Sequence, residues 1–326
     1  MAVSISVVIP YFQEDGQCLV RALESVAAQR GPFLKQVIVV DDGSPWAAED
    51  VLAQGGVPVG LNVRLLRTTN AGVAAARNRG LDEVLTDCDY VAFLDSDDVW
   101  TEDHLARAVA CLGRGYDVYC ANLIRAGWRR DFFALYRQFR PEEHRPVPGC
   151  SDVYEVSGAV FDRILRNNFV GTSTVVFRWS KYSELRFEAD LRVHEDWVFW
   201  LNLARSSDAF VVSAHVEARY GQGVNLYASA VGWDAPRAME VAFCGVLLEK
   251  RIVSLFGLSA AQRAWVRRRL ARRRLYCGML LLRRLRQRQR LEAARRWLRR
   301  DPWLLVHLPI SLLWLVRGRL AGRGAL

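Results

Sequence analysis

Tyr90-Val91-Ala92-Phe93-Leu94-Asp95-Ser96-Asp97-Asp98 runs from five strand-forming residues straight into three carboxylates within four positions. An unbroken apolar run of this length fits a strand buried on both faces of a parallel sheet. Ionised carboxylates do not stay inside such a sheet, because each loses roughly several kcal/mol or more of hydration there. The cluster therefore belongs at the strand's open end. Hard divalent cations are commonly held by one or two carboxylates together with the phosphates of a substrate, and the Asp95-x-Asp97 spacing suits that arrangement. A solvated acidic turn is the other reading of the same residues.

Upstream, strands and helices alternate. Residues 4–9 alternate and branch like a strand that Pro10 ends, and residues 19–28 carry Leu19, Ala22, Leu23, Val26 and Ala27 at helical spacing. Val37-Ile38-Val39-Val40 is a second apolar strand, stopped by Asp41-Asp42-Gly43-Ser44-Pro45, which leaves both carboxylates outside the sheet. A weak helix from Val51, a strand over 63–66 and a helix over 71–84, entered through Asn70 and Gly72, complete the run up to Tyr90. Such alternation implies right-handed βαβ units, a mainly parallel central sheet flanked by helices, and ligands bound beyond the carboxyl ends of the strands. Pro10, Asp41-Asp42 and Asp95-Asp97 fall at those ends. Beyond them, residues 99–105 read as the start of a helix with Thr101 or Asp98 as its N-cap.

Four motifs in this order carry a family resemblance: Ser6-Val7-Val8-Ile9-Pro10-Tyr11-Phe12, Asp41-Asp42-Gly43-Ser44, Asn70-Ala71-Gly72-Val73-Ala74-Ala75-Ala76-Arg77-Asn78 and Asp95-Ser96-Asp97-Asp98. Together they resemble the family-2 inverting glycosyltransferases of GT-A (Rossmann-like) fold, of bacterial cell-envelope or exopolysaccharide type. The likeness continues to His194-Glu195-Asp196-Trp197, similar to the family's Glu-Asp motif on a helix, and spans roughly residues 3–230.

The resemblance implies a nucleotide-sugar donor, UDP-linked, whose base and ribose lie across the first strand ends at Pro10, Phe12, Glu14 and Asp42. Phe12 would pack on the base, and Asp42 would accept hydrogen bonds from uracil or ribose. Phe12-Gln13 stands where many members have Tyr-Asn, which keeps the stacking face and removes a hydroxyl. Arg77 would offer its planar fork to a carboxylate or a phosphate. The motif position gives Asp97 the metal, Mg²⁺ or Mn²⁺, with Asp95 assisting through metal-bound water or the ribose. Inversion by single displacement needs a base opposite the leaving group, and Asp196 is assigned that role, with Glu195 beside it. Neighbours on a helix point about 100° apart, so Glu195 would bind the acceptor or an arginine instead. Trp197, Phe199 and Trp200 read mostly as core, although Trp197 also suits a sugar platform. Thr172-Ser173-Thr174 resembles a segment near the donor sugar, where hydroxyls would read it.

Between these motifs, residues 118–122 read as a strand, 128–149 as a variable insertion rich in Arg and aromatics, and 168–178 as another strand. A last strand starts at Phe210 and ends near Tyr220-Gly221-Gln222-Gly223, whose glycines suggest a mobile loop over the site.

The 326 residues are 51% hydrophobic and 25% charged, a globular composition long enough for a substantial core. Seven cysteines with no C-x-x-C pair indicate neither a zinc site nor a disulfide framework and fit a reducing cytosol. The N-terminus reads as a first strand rather than a signal peptide. Net charge is +10, but it is divided: residues 251–326 hold 20 arginines against Glu292 and Asp301, a net +18, leaving −8 for the rest. An acidic body with a basic tail points to an anionic surface.

The chain thus divides into a transferase domain over 1–232, with a donor half to about 125 and an acceptor half beyond it, and a basic helical region over 233–326. Helices are expected over 238–256, 260–290 and 291–300. Sixteen arginines interleaved with leucines and aromatics in 263–300 make a basic amphipathic design suited to anionic lipid; helices packed on the body with a solvated Arg face are the alternative. Residues 302–316 are uncharged, too short to span a bilayer, and broken in the middle by Pro309, so they read as an interfacial or re-entrant anchor.

The expected protein is a cytoplasmic enzyme peripheral to the inner face of the membrane, acting on a saccharide or lipid-linked saccharide acceptor. No nucleic acid partner is expected. A nucleotidyltransferase would want a glycine- and lysine-rich loop near the N-terminus, which residues 10–16 do not provide. A basic membrane or nucleic-acid adaptor has no reason to carry both Asp95-x-Asp97 and Glu195-Asp196.

Overall fold

A computed structural model describes residues 2–221, 223, 235, 237–286 and 297–320. The chain forms two compact units, Met1–Val224 and Asn225–Leu326; the boundary expected at 232 lies outside the described residues.

In the first unit, β1 (Val3–Tyr11), α1 (Gln17–Ala27), β2 (Phe33–Asp41), α2 (Ala48–Val51), β3 (Asn62–Arg67), α3 (Val73–Leu81) and β4 (Tyr90–Phe93) alternate as expected. They are followed by β5 (Val99–Trp100), α4 (His104–Leu112), β6 (Val118–Arg125), α5 (Phe132–Tyr136), β7 (Arg145–Pro146) and β8 (Val153–Glu155). Then come α6 (Val160–Arg166), β9 (Val176–Arg178), α7 (Trp179–Tyr182), α8 (Glu195–Ser206) and β10 (Phe210–Tyr220). One ten-stranded sheet runs β3-β2-β1-β4-β9-β6-β10-β8-β7, with β5 pairing β10. Its long ladders, β1 with β2 and β4, β2 with β3, and β6 with β10, are parallel; β9, β8, β7 and β5 add short antiparallel ones.

Register decides where the site falls. Tyr11 pairs with Asp41 and Val8 with Phe93, so the carboxyl ends of β1, β2 and β4 open on the same side. Val7, Ile9, Val37, Val39 and Ala92 are fully buried, and α1 covers them with Leu19, Ala22, Leu23 and Val26, a 3–4 spacing that makes one apolar stripe. The aromatic residues Phe93, Phe177, Phe187, Phe199 and Trp200 interlock beneath α8, with Phe187 and Phe199 stacked at 4.1 Å. That cluster fixes α8 against the sheet, and Phe199 and Trp200 are core as expected.

Four local expectations change. Residues 99–100 form an edge strand, because Trp100 pairs with Ala218 and its indole donates to the Ser173 carbonyl at 2.5 Å. The helix then starts at His104 after Asp103, with no side-chain cap, so neither Asp98 nor Thr101 serves as one. Asp41 lies within β2 rather than outside the sheet; it is 1% exposed and accepts from Ser44 N and Ala48 N, each at 2.8 Å. Residues 172–174 form a 3-10 turn, and only 176–178 are strand.

The second unit contains α9 (Ala238–Leu255), α10 (Ala260–Arg286) and α11 (Trp303–Leu320). The helix expected over 291–300 falls partly outside the described residues. Leu280, Val246, Phe243, Cys277 and Leu304 are buried between the helices. Pro309 does not break α11, which runs through it: proline removes one N–H from the ladder, and the turns on either side keep the helix going. The arginines are not one lipid-facing set either. Arg269 and Arg273 pair with the fully buried Glu249, and Arg274 grips the fully buried Asp301 with two bonds of 2.7 Å. Among the described residues no helix is long and apolar enough to cross a membrane.

Candidate active site

The open ends of β1, β2 and β4 are held by side chains that use the strand-end carboxylates first as structural acceptors. Asp42, 3% exposed, accepts at Oδ1 from Ala71 N at 2.8 Å and Thr68 Oγ1 at 3.3 Å, and at Oδ2 from Gly72 N at 2.8 Å. A carboxylate offers about four acceptor positions, so one remains. The three bonds fasten the 68–72 segment to the strand end and set the start of α3. Gly72 there has φ 96°, a conformation that favours glycine. Ser44 performs the same service between loops, accepting from Gln13 N at 2.7 Å and donating to Gln13 O at 2.8 Å. Pro10 is buried in β1, while Phe12 and Glu14 are exposed beside this loop pair.

Arg77, carried by α3, is 3% exposed. It donates from Nη2 to Asp95 Oδ1 at 2.6 Å and from Nη1 to Glu195 Oε1 at 2.7 Å, and its guanidinium lies 5.3 Å from the centre of the Phe187 ring. Burial opposes its charge, but the carboxylates of Asp95 and Glu195 outweigh that and raise its pKa above the ordinary value. Of the sequence alternatives, Arg77 here faces two carboxylates, and Glu195 faces an arginine.

Glu195 and Asp196 open α8 behind His194, whose φ of 69° turns the chain into the helix. Burial and the neighbouring Asp196 push the Glu195 carboxyl up to about 7, with Arg77 opposing. Asp196 is raised as well, by burial, with Arg77 and Thr172 pulling it down. Its Oδ2 accepts from Thr172 Oγ1 at 3.4 Å, and it remains partly exposed.

The three aspartates of the opening stretch divide their work. Asp95 faces Arg77. Asp98 is buried, accepting from Ser173 Oγ at 2.5 Å and Gly221 N at 2.9 Å, and burial with the charges of Asp95 and Asp97 raises its pKa well above the usual range. Asp97 accepts at Oδ2 from Gly223 N at 2.9 Å, and burial followed by the charge of Asp95 raises its pKa. Among the described residues no three His, Cys, Asp or Glu side chains are grouped to enclose a metal by themselves. The donor set fits a hard cation that brings phosphate ligands, since Asp97 with Asp95 supplies the one or two carboxylates such a cation uses.

Further residues complete the frame. Ser173 joins Asp95 N at 3.0 Å to Asp98, and Gln13 Nε2 donates to Ser96 Oγ at 3.1 Å. Thr174 donates to the Gly171 carbonyl and all three hydroxyl residues of 172–174 are buried, so this turn braces the site instead of presenting a row of hydroxyls to a sugar. Gly221 and Gly223 lie tight against the aspartate loop: a Cβ at Gly221 would meet Asp97 O at 1.7 Å, and one at Gly223 would meet Asp97 Cβ at 2.6 Å. Glycine is needed there because the backbone lies against the aspartate loop. Gln222 lies outside the described residues.

Residues 6–190 match the profile of glycosyl transferase family 2. The chain is 34% identical over 242 residues to the succinoglycan biosynthesis protein ExoW of Rhizobium meliloti (strain 1021), covering 73% of this chain and 75% of that protein. The fold is shared with S. aureus TarS 1-349, solved in complex with UDP-GlcNAc, at a TM-score of 0.57 and 20% identity, over 83% of this chain and 71% of that one. It is shared too with the mannosyltransferase PcManGT of Pyrobaculum calidifontis, solved with GDP-Man and Mn2+, at a TM-score of 0.55 and 15% identity, over 100% and 77% of the two chains. The matched span, the relative of similar length and the common GT-A architecture agree: this chain is a glycosyltransferase and belongs to glycosyl transferase family 2.

Proposed function

We propose that the enzyme moves a sugar, with inversion, from a UDP-linked donor to a hydroxyl of a saccharide or lipid-linked saccharide during assembly of a cell-envelope polysaccharide. The observation that carries this reading is the double ion pair of Arg77, which ties the Asp95-x-Asp97 loop to the Glu195-Asp196 helix so that both motifs serve one reaction centre. The 34% identity to a protein named for succinoglycan biosynthesis supports the product class, and the UDP-GlcNAc complex of TarS supports the donor.

In this reading the donor half extends to about residue 125 and the acceptor half follows it. The base lies on exposed Phe12, with Glu14 and the edge of Pro10 beside it, and Asp42 offers its one remaining acceptor position to uracil or ribose. Asp97, with Asp95, would hold Mg²⁺ or Mn²⁺, and the bound cation would supply positive charge opposite the diphosphate of the donor. Asp196 takes the proton from the acceptor hydroxyl as that oxygen attacks the anomeric carbon. Glu195 does not compete for the proton, because Arg77 engages it. The helical unit brings the enzyme to the cytoplasmic face of the membrane as a peripheral protein, through α11.

A screen of nucleotide-sugars for metal-dependent binding and hydrolysis tests the reaction class and the donor together. Binding of a UDP-sugar that requires Mg²⁺ or Mn²⁺ is the expected result; absence of binding by every nucleotide-sugar in the presence of either cation would overturn the reading.

A further inference from the structure

The insertion over 128–149 has no part in the reaction centre described above, yet it builds one wall of a cavity of about 290 Å³. The other wall is α6 and the residues after it. Four arginines, Arg137, Arg140, Arg163 and Arg166, line this cavity against a single carboxylate, Glu143. Glu143 is 3.3 Å from Arg163 and 3.7 Å from Arg140, and Arg163 also donates to the Ser157 carbonyl at 2.6 Å. Among the described residues the guanidinium groups of Arg137 and Arg166 have no hydrogen bond or ion pair. The Gln138 Oε1, buried at the same wall, has no donor.

Arg137 is, among the described residues, one of three non-glycine residues with positive φ, at 51°. That conformation ends α5, with the Arg137 N–H on the Phe133 carbonyl at 2.8 Å, and so turns the chain onto the cavity wall. His144 stacks on Phe139 at 4.3 Å and accepts from Ser157 N at 3.1 Å, while burial and then Arg163 lower its pKa. The cavity's excess charge is therefore arginine alone. The chain enters Arg137 directly from an aromatic group in which Tyr136 lies 5.2 Å from Phe132 and 5.9 Å from Trp128, with Tyr136 half exposed. Aromatic faces of this kind pack along the apolar faces of sugar rings.

The cavity is close to the proposed base. Trp197, next to Asp196, donates its indole N–H to the Ile164 carbonyl in α6 at 2.8 Å. Phe169 lines the cavity, and three residues on, Thr172 contacts Asp196 at 3.4 Å. Three residues of chain reach at most about 11 Å, the length of one or two sugar rings.

We propose that this cavity is an acceptor subsite for a carboxylate-bearing sugar, such as a uronic acid, with Arg137 and Arg166 gripping the carboxylate and the 128–136 aromatics lying along the neighbouring rings; the assignment as an acceptor subsite rests on the transferase reading above. Two planar arginine forks match a carboxylate and leave a neutral sugar without a partner.

The test is a titration of the full chain, in EDTA, with methyl glucuronoside, methyl glucoside and inorganic phosphate, followed by ligand-observed NMR. The glucuronoside should bind about tenfold or more tighter than the glucoside, as expected for charge-assisted hydrogen bonds. The paired substitutions Arg137→Gln and Arg166→Gln should remove that preference without changing thermal unfolding. Equal binding of glucuronoside and glucoside by the wild-type chain overturns the subsite, and this comparison needs no variant. Tighter binding of phosphate than of glucuronoside overturns it in favour of a phosphate-bearing ligand, and so does a glucuronoside preference that survives both substitutions. Titration of EDTA-free samples of the same preparations with UDP and Mn²⁺ separates the two readings: intact UDP binding with no glucuronoside preference sinks the subsite alone, whereas absent UDP binding sinks the UDP-donor reading on which it rests.

Discussion

Arg77 and Glu195, 118 residues apart in sequence, form a buried ion pair of 2.7 Å that joins helix α3 to the first turn of α8. Replacing Arg77 with Met leaves Glu195 and Asp95 without their shared cation. Breaking a buried pair in this way costs about 3–5 kcal/mol. The Glu195 carboxyl, already pushed up to about 7, recovers part of that loss by taking a proton. Urea midpoints should therefore drop most at pH 8 and less at pH 5. Arg77→Lys keeps the charge but lacks the fork, and should fall between wild type and Arg77→Met; equal midpoints for all three would show that the bridge contributes nothing.

Asp97→Ala and Asp196→Asn should fail in different ways. The first removes the carboxylate offered to the cation, so donor binding in Mn²⁺ should weaken toward the value seen in EDTA. The second keeps shape and donor binding but takes away the proposed proton acceptor, and turnover should fall about 10²- to 10⁴-fold. Calorimetric titration with UDP and a transfer assay on the same preparations read the two effects separately. Full transfer by Asp196→Asn would remove that residue as the base.

Much of this frame was legible in the sequence because it follows from local rules. A continuous apolar run such as Val37-Ile38-Val39-Val40 has few ways to be buried, and alternation with helices makes the strands parallel and gathers their carboxyl ends. What the sequence could not show is which partner each charge chooses. Asp41 and Asp42 look alike in the chain, yet one braces its own loop through Ser44 and Ala48 while the other holds the start of α3. Ser173, Gln13, Gly221 and Gly223 are marked in the sequence, but not with the roles they take, because those roles are long-range hydrogen bonds and close backbone approaches. Trp100 was misread as the beginning of a helix because the strand it joins, β10, lies more than a hundred residues further on.

Gly221→Ala should damage the site without touching a charge. Its Cβ would lie 1.7 Å from the Asp97 carbonyl oxygen, so the 95–98 loop or the 221–223 backbone has to move. Either shift breaks the Gly221 N to Asp98 or Gly223 N to Asp97 hydrogen bond, each 2.9 Å long. Metal-dependent UDP binding should weaken about tenfold or more, the size expected for losing a hydrogen bond to a charged group. Wild-type affinity in this variant would mean that the glycine backbone does not position Asp97.

The acid cluster also sets a pH dependence whose sign is fixed. Glu195 rises from an ordinary 4.5 to about 7 on folding, through burial and Asp196, so the folded chain holds a proton that the unfolded chain has released. Stability from this group is present below about 4.5 and is lost as pH rises through about 7. Glu195→Gln should flatten the fall in melting temperature across that window. Under the proposed mechanism activity runs the other way, because Asp196 as the base works only when ionised. Thr172 donates to Asp196 and lowers its pKa, so Thr172→Val should move the acid limb of kcat/KM to higher pH. An unmoved limb would place the rate-controlling ionisation elsewhere.

The last prediction concerns α11, where Trp303, Leu305, Val306, Ile310, Leu312 and Leu313 are 46–62% exposed. Three pairs, 303 with 310, 305 with 312 and 306 with 313, are seven residues apart, so each pair shares one side of the helix. Fully burying a side chain of this size is worth about 1.5–3 kcal/mol, and each arginine near an anionic surface adds about 1 kcal/mol. Some of the α10 arginines cannot contribute, since Glu249 and Asp301 already hold Arg269, Arg273 and Arg274 inside the helical unit. The apolar side of α11 must then carry most of the attachment, and salt should weaken it only in part. The full chain should cosediment with vesicles containing phosphatidylglycerol, and the pair Leu305→Glu with Leu312→Glu should reduce that about tenfold or more while circular dichroism stays unchanged. Equal sedimentation of the variant, or complete release of the wild type by 0.5 M salt (about a 4 Å screening length), would assign the attachment to charge instead.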